Sequence, residues 1–221
     1  MKSGKKLILT AICALLLVVA TVFGTMAWLV DTDNKVVNTF TIGDIDITLD
    51  ETDVDDSTPD DTRDTENTYK LVPGAVLDKD PVIHFKAGSE KAWLFVEIEN
   101  GLSGLEYQDG WAEGDGFDYS KVKPTIFVQM TQKYQWVKMD ESDTDGRQIF
   151  YKKMPVEKTD ENQDFHVFDK VFIQERIQDL TNWNNAQVIV KAYAVQADEN
   201  IDNIDEAWNT IRAQTAPDTN S

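Results

Sequence analysis

The chain has 221 residues, a length that can bury one sizeable core. It carries 40 acidic against 21 basic side chains, which gives a formal net charge of −19. So acidic a surface repels phosphate backbones and anionic lipid headgroups, which argues against nucleic acid as a partner and limits expected membrane contact to the apolar N-terminus. The single cysteine, Cys13, lies in that N-terminal segment, so the rest of the chain has no thiol nucleophile and no disulfide.

The N-terminus has the residue order of a secretory signal. Three lysines precede an uncharged run from Leu7 to Val30. This run is long enough to span a bilayer, since roughly 20 apolar residues suffice. A cleaved signal peptide and an uncleaved membrane anchor both fit, and either would place the bulk of the chain outside the cytoplasm. We therefore predict a secreted protein of the cell surface or extracellular matrix.

Small residues near the end of this run predict cleavage. Thr25 and Ala27 occupy the −3 and −1 positions of a site that resembles the A-x-A pattern. The interpretation we favour is a signal peptide helix over residues 1–27 and a mature chain that starts at Trp28. Residues 28–38 then form a polar-hinged mature N-terminal segment ahead of the folded body.

The first strand pattern changes phase partway along. Apolar side chains stand at even positions up to Ile42 and at odd positions from Ile45, with Gly43 at the change. One extra residue moves every later side chain to the other face of a strand. We predict a single strand with a β-bulge or bend at Gly43-Asp44; two short strands joined by a turn are the alternative.

Two acidic stretches raise the question of calcium. Residues 50–67 cannot bury apolar area and are predicted to form an exposed acidic loop without a coordinating spacing. A second pattern begins at Glu141, but its twelfth position is Lys152 where the ion needs a glutamate. A hairpin with its turn at Asp145-Gly146 fits that segment better. No cofactor is predicted, calcium has only weak support, and no metal ligand is identified.

The remaining pattern alternates mainly as strands do. Ile83 and Phe85 share one face of a predicted strand, and residues 92–100 are apolar on both faces, as in a central strand or one covered on both sides. The last two predicted strands cover residues 165–174 and 186–197. Residues 101–119 are predicted to be a loop, and the pattern at residues 125–130 fits either a strand or a helix.

A short helix is predicted near the C-terminus. Apolar residues from Ile204 to Ile211 recur at helical spacing, and Asn203 can cap the start. The helix should lay Trp208 against the sheet, while residues 215–221 form a disordered tail. Because strand follows strand without alternating helices, we predict an all-β fold, an antiparallel, jelly-roll-like β-sandwich over residues 39–214.

The sequence offers no catalytic constellation. His84 and His166 are the two histidines, and neither belongs to an H-E-x-x-H pair or a Cys/His cluster. No G-x-S-x-G elbow and no glycine-rich phosphate loop is present. We therefore predict no catalytic residues and no enzymatic activity.

Several motifs in this order resemble a known family. They are "GTMAWLVDTDNKVVNTFTIGDIDITLDE", "YKLVPGAVLDKDPVI" followed by "AGSEKAWLFVEIEN", and "VKAYAVQADENIDNIDEAWN". The set resembles exported proteins of Gram-positive bacteria whose signal peptides are removed by the SipW type of signal peptidase, the group of the biofilm fibre protein TasA and of camelysin (CalY). Residues 100–165 carry no matching motif.

The resemblance implies a jelly-roll-like sandwich, secretion and self-assembly into extracellular matrix or biofilm fibres. In such fibres the mature N-terminal segment completes the sheet of the next subunit, so residues 28–38 would be the donor strand. Its candidate anchors are Trp28, Val30 and Val36. Head-to-tail donation does not close, and it therefore produces filaments. The implied partners are further copies of the chain, a SipW-type signal peptidase and other matrix components.

Two other functions stay open at this point. A monomeric surface binding module or adhesin could use the acidic loop, or the aromatic loops around Trp111 and Tyr119, as its contact face. A secreted metalloprotease is the least favoured, because the activity described for camelysin-like relatives would need a zinc motif that this sequence lacks.

Overall fold

The computed structural model describes residues 37–54, 63–65, 67–107, 118–140, 147–177, 183 and 186–215. The chain divides into two units, Met1–Lys35 and Val36–Ser221, and every described residue belongs to the second. The predicted signal peptide and residues 28–36 of the predicted donor segment lie outside the described residues, whereas residues 37 and 38 begin β1. The named positions Thr25, Ala27, Trp28, Val30, Val36 and Trp111 also lie outside them. Among the described helices, none is long and apolar enough to cross a membrane.

Eleven strands and two helices make up the described part. The strands are β1 (Val37–Ile42), β2 (Ile47–Thr52), β3 (Arg63–Asp64), β4 (Val76–Leu77), β5 (Val82–Phe85), β6 (Ala92–Asn100), β7 (Trp136–Lys138), β8 (Arg147–Lys152), β9 (Gln163–His166), β10 (Val171–Phe172) and β11 (Val188–Gln196). Helix α1 (Ile126–Val128) continues into a π-helical turn at Gln129–Lys133, and helix α2 spans Ile204–Thr215. The all-β prediction is confirmed at this level.

The strands form two main sheets and a small ribbon. The five-stranded sheet has the order β1-β11-β6-β8-β7, the four-stranded sheet has the order β3-β2-β5-β9, and β10 pairs with β4. All pairs are antiparallel except one, since β1 runs parallel to β11. The prediction of a purely antiparallel fold was wrong at this edge, where two strands from opposite ends of the body meet without the constraint of a hairpin.

A large apolar cluster joins the two main sheets. Ile83 and Phe85 of the four-stranded sheet and Leu94, Val96 and Ile98 of the five-stranded sheet are all buried in it. The shared face predicted for Ile83 and Phe85 is therefore confirmed. Since successive side chains of a strand point to opposite faces, the residues between them point away from this cluster.

A second cluster covers the other face of the five-stranded sheet. Trp93 and Phe95 lie in it beneath α2, and the Trp208 ring centroid is 5.3 Å from that of Phe95. The side chain of Asn203 accepts a hydrogen bond from the Glu206 backbone N–H at 3.0 Å, which caps the helix start. The predictions of a doubly covered strand at residues 92–100 and of a helix that lays Trp208 on the sheet are both confirmed.

The phase change around Gly43 separates two strands. β1 belongs to the five-stranded sheet and β2 to the four-stranded one, so the alternative of two short strands is correct. Gly43 has a φ of +103°, and a Cβ there would lie 2.5 Å from the Gln196 Oε1 atom. The phase change thus sends Phe40 and Ile42 to the cluster under α2, and Ile45 to the cluster between the sheets.

Other boundaries were corrected or settled. The single strand predicted at residues 165–174 is two strands, β9 and β10, which pair in different sheets. Residues 126–133 are helical, which settles the open choice at residues 125–130. The predicted hairpin exists as the β7–β8 pair, although its turn lies outside the described residues. Both ends of the segment predicted to be an acidic loop contain strand, because Glu51 and Thr52 of β2 pair with Asp64 and Arg63 of the edge strand β3.

Candidate functional site: a groove between two sheet edges

A groove of about 570 Å³ lies where an edge of each main sheet is open. One wall is β7 with the segment that follows β8, and the other wall is β9. Its lining is Thr131, Gln135, Trp136, Val137, Lys152, Lys153, Met154, Pro155, Val156, Glu157, Gln163 and Phe165. The site is therefore built from backbone edges as well as side chains.

The wall formed by β7 and the segment after β8 is an open edge of the five-stranded sheet. The short edge strand β7 ends its pairing with β8 at Trp136 opposite Lys152. β6 and β8 pair with Phe95 opposite Tyr151. If this register continued without interruption, Met154 would lie opposite Ala92, but Val156 lies there instead. The chain bulges at this point, and no described strand pairs with the outer edge of residues 153–156.

The opposite wall is the edge strand of the other sheet. β9 pairs with β5 on one side, and among the described strands none pairs with its other side. Phe165 of β9 is half-buried and packs on the main cluster, whereas its neighbour Asp164 is exposed. The Trp136 indole Nε1 donates to the His166 carbonyl at 2.8 Å and ties the two walls together at one end.

Lys152 is the charged residue on the inner surface of the groove. It stands opposite buried Trp136 and two residues after buried Phe150, so its side chain points toward the core. Its Nζ donates to the Tyr134 carbonyl at 2.6 Å and lies 4.2 Å from the Trp136 ring centroid and 5.7 Å from that of Phe165. Burial lowers the pKa of Lys152 to about 8.

The π-helical turn holds the end of the groove in place. The buried Gln129 side chain accepts from the Asp169 N–H at 3.0 Å and donates to the Lys170 carbonyl at 2.7 Å. Asp169 in turn accepts hydrogen bonds from Tyr119, Lys133 and Tyr134. Burial alone would raise the pKa of Asp169, but these hydrogen bonds outweigh it and leave the pKa below its usual value.

The turn ends at a strained residue beside the groove. Gln135 has a φ of +56°, in the left-handed region that side chains other than glycine seldom adopt. Strain of this kind persists only where the surroundings fix it, and here Trp136 is anchored by its indole bond immediately afterwards. The groove wall is therefore held rigidly by buried polar contacts on both sides of Gln135.

The two histidines are separate from this inner surface. His84 contacts Asp164 through Nδ1 at 2.6 Å and Asp50 through Nε2 at 3.0 Å, on the outer face of the four-stranded sheet. His166 stacks on the Tyr134 ring with centroids 5.4 Å apart. Within the described ranges, no group of three or more His, Cys, Asp or Glu side chains is arranged to hold a metal ion.

The groove was not predicted from the sequence. Lys152 was considered there only because it occupies the position at which a calcium loop needs a glutamate. A signal was present, because Lys152 alternates with Phe150 on one face of an aromatic-rich strand. A lysine in such an inner position is unusual enough to mark a site. Its neighbour Trp136 lies across the predicted hairpin, but Phe165 comes from a strand of the other main sheet.

No protein-family model matches this chain, and no curated protein or solved structure matches it either. The likeness to the fibre proteins therefore rests on the motifs quoted above.

Proposed function

We propose that this chain is a secreted structural protein that assembles into extracellular fibres by donating a strand from one copy to the next. The observation that carries the proposal is the meeting of two unpaired sheet edges at the groove between β7 and β9. Backbone N–H and C=O groups on such edges are suited to pairing with an added strand. An extended segment in the groove would complete the sandwich.

The donor in this proposal is the segment just ahead of β1. Residues 28–36 contain apolar and polar residues in a length sufficient for a strand, at about 3.3 Å per residue. β1 itself is already paired with β11, so the strand available for donation ends before Val37. This moves the donor boundary from residue 38, as the sequence suggested, to residue 36.

Export fits the same picture. A SipW-type signal peptidase would cut after Ala27 and release a chain that starts at Trp28, with the donor segment at its free end. The body would then be the jelly-roll-like member of the fibre family that the motifs resemble. Donation from each copy to the next is heterologous and open-ended, so the product is a filament, to which other matrix components could bind.

The edges of the groove argue for selective pairing instead of general aggregation. β7 is short, the neighbouring segment bulges, Pro155 interrupts it, and Lys152 points inward. Natural sheets use each of these features to discourage indiscriminate strand addition. An edge that is protected in this way and still opens into a groove is suited to one particular strand.

The test is electron microscopy of the protein exported by a Gram-positive host. Mass spectrometry of the secreted chain is expected to find Trp28 at its N-terminus, and the concentrated protein is expected to form filaments. Because net charge repels the subunits, acid pH or added salt should favour assembly. A chain that stays monomeric across pH and salt would contradict the proposal, and glycan binding by that monomer would favour the adhesin.

A deletion identifies the donor. Removal of residues 28–36 keeps β1 intact, so a folded monomer without filaments is expected by circular dichroism and size-exclusion chromatography. Replacement of the same nine positions, 28–36, by a Gly/Ser segment of equal length is the matched control for spacing and should also prevent assembly. Filaments formed by the deleted protein would show that another part of the chain joins the subunits.

A further inference from the structure

Lys152 brings a positive charge to the inner surface of the groove, beside the rings of Trp136 and Phe165. Its polar contact is the Tyr134 carbonyl, and its other close neighbours are the rings of Trp136 and Phe165. Among the described residues, no carboxylate lies within ion-pair distance of its Nζ. A charge moved away from water is costly unless it is paired, so the empty groove leaves this lysine short of an anion.

The charges around the groove increase its preference for an anion. Lys153 on the rim is exposed, and Glu157 forms its ion pair with Lys91 at 2.7 Å. Asp169 near the end of the groove is bound to Lys133 and the two tyrosines. The groove is thus locally basic on a molecule whose net charge is −19.

We propose that Lys152 is the specificity-determining residue of the groove and that it binds the Asp31 carboxylate of a second copy of this chain. The inference rests on the proposed function, because it identifies how the acceptor groove selects the donor segment. The pairing would add one charge-assisted contact, from the ammonium to Asp31, beside the one that the ammonium already makes to the Tyr134 carbonyl. A purely apolar strand would leave the ammonium unpaired and would be rejected.

The donor sequence singles out Asp31. Alternate residues of a strand share a face, so in a donated strand Leu29, Asp31, Asp33 and Lys35 would lie on one face and Trp28 and Val30 on the other. Leu29 and Asp31 are the adjacent pair that combines an apolar and an acidic side chain, which matches aromatic rings beside Lys152. This pairing would turn the odd-numbered face into the groove, in place of the candidate anchors Trp28, Val30 and Val36, and it would fix the register, because a slip of one residue exchanges the faces.

Two charge reversals in separate proteins test this pairing between copies. Asp31→Lys removes the acid from the donor, and Lys152→Asp removes the base from the acceptor. Each variant alone should assemble poorly, with the critical concentration for filament formation raised at least about tenfold, as expected when a desolvated charge loses its partner. An equimolar mixture should form alternating filaments, because each groove then meets a donor of opposite charge.

Matched variants separate this local pairing from the effect of net charge. Glu199→Lys and Lys70→Asp, at exposed positions outside the groove lining, change the net charge by the same amounts as the two test variants, and each should keep its critical concentration within about threefold of the parent. Sedimentation of filaments measures all of these values. Circular dichroism checks the fold of Lys152→Asp; should that variant be unfolded, Asp31→Lys compared with Glu199→Lys decides, since Asp31 lies outside the described body and Glu199 is exposed.

The outcomes are distinct. Three results would each overturn the Lys152–Asp31 pairing: unchanged assembly of Asp31→Lys, equal losses for Asp31→Lys and Glu199→Lys, or a mixture of two folded variants that does not recover. Filaments of the parent protein would in each case leave strand donation standing. A parent protein that forms no filaments would overturn the proposed function itself, and this inference with it.

Discussion

The outer faces of the two sheets differ in composition: one is apolar and covered by a helix, and the other carries charged side chains. The five-stranded sheet turns Trp93, Phe95 and Tyr193 outward and covers them with α2. The four-stranded sheet turns His84 and Asp164 outward, in contact with each other and open to water. An apolar face needs a cover and gains stability from it, whereas a charged face needs none and gains little.

The largest expected effect is on the covered face. Trp208 packs on Phe95 and, with ring centroids 5.7 Å apart, on Tyr193. Trp208→Ala should lower the free energy of unfolding by about 3–5 kcal/mol, because it removes a large buried side chain and leaves a cavity. Urea denaturation measures the loss, and Asn209→Ala on the exposed side of the same helix is the control. A loss below about 1 kcal/mol would mean that α2 is not an essential cover.

The joint between the two sheets gives the next effect. Gly43→Ala would put a Cβ 2.5 Å from the Gln196 Oε1 atom at a φ of +103°. We expect a loss of about 1–3 kcal/mol in the free energy of unfolding, since the chain must adopt this conformation to pass from β1 to β2. Gly88→Ala is the control, because Gly88 also has a positive φ, of +83°, but has open space around it. Equal losses for both variants would assign the effect to backbone conformation alone.

These elements show what the sequence could predict. The period-2 pattern identified β5 and β6, and the helical spacing identified α2, because amphipathic patterns report burial directly. The division of residues 165–174 into β9 and β10 was missed, because apolar residues stand on both sides of Asp169-Lys170 and this pair alone does not show that the strand ends there. The break depends on Gln129, which holds Asp169 and Lys170 from far earlier in the chain.

The groove was beyond prediction for a related reason. Its chemistry arises where Lys152 and Trp136 of the five-stranded sheet meet Phe165 of the four-stranded sheet. A one-dimensional pattern records which face a residue occupies, but it does not record which edge of another sheet lies opposite. The same limit applies to the charged outer face, where Asp50, His84 and Asp164 come from three strands.

Lys152 differs from the charged residues of the outer face because its side chain points inward. Burial lowers the pKa of Lys152 to about 8, while an unfolded lysine titrates near 10.4. Below about pH 8 the folded state holds the full charge at a cost, so Lys152→Met should be more stable than the parent there. From about pH 8 to about 10 the unfolded chain binds more protons than the folded one, so the parent gains stability and the difference shrinks.

Paired denaturation curves at pH 7 and at about pH 10 measure this difference. Changes that both proteins share, such as tyrosine ionisation, cancel when the two curves at one pH are subtracted. Lys153→Met removes an exposed charge next to it and should show no comparable pH dependence. A Lys152→Met variant that is less stable than the parent at pH 7 would show that the contacts of Lys152 with Tyr134 and the rings outweigh its burial.

The smallest effect is expected on the charged face. Asp164 contacts the His84 Nδ1 atom at 2.6 Å, but its side chain is 55% exposed. Asp164→Asn should therefore lower the free energy of unfolding by less than about 1 kcal/mol, and salt should reduce the difference further because it screens exposed charges. Urea denaturation at low and high salt measures both values, with Asp202→Asn, an exposed acid outside the His84 cluster, as the control. A loss as large as that of Trp208→Ala would erase the contrast between the two faces, and it would mean that the charged contacts hold the four-stranded sheet together.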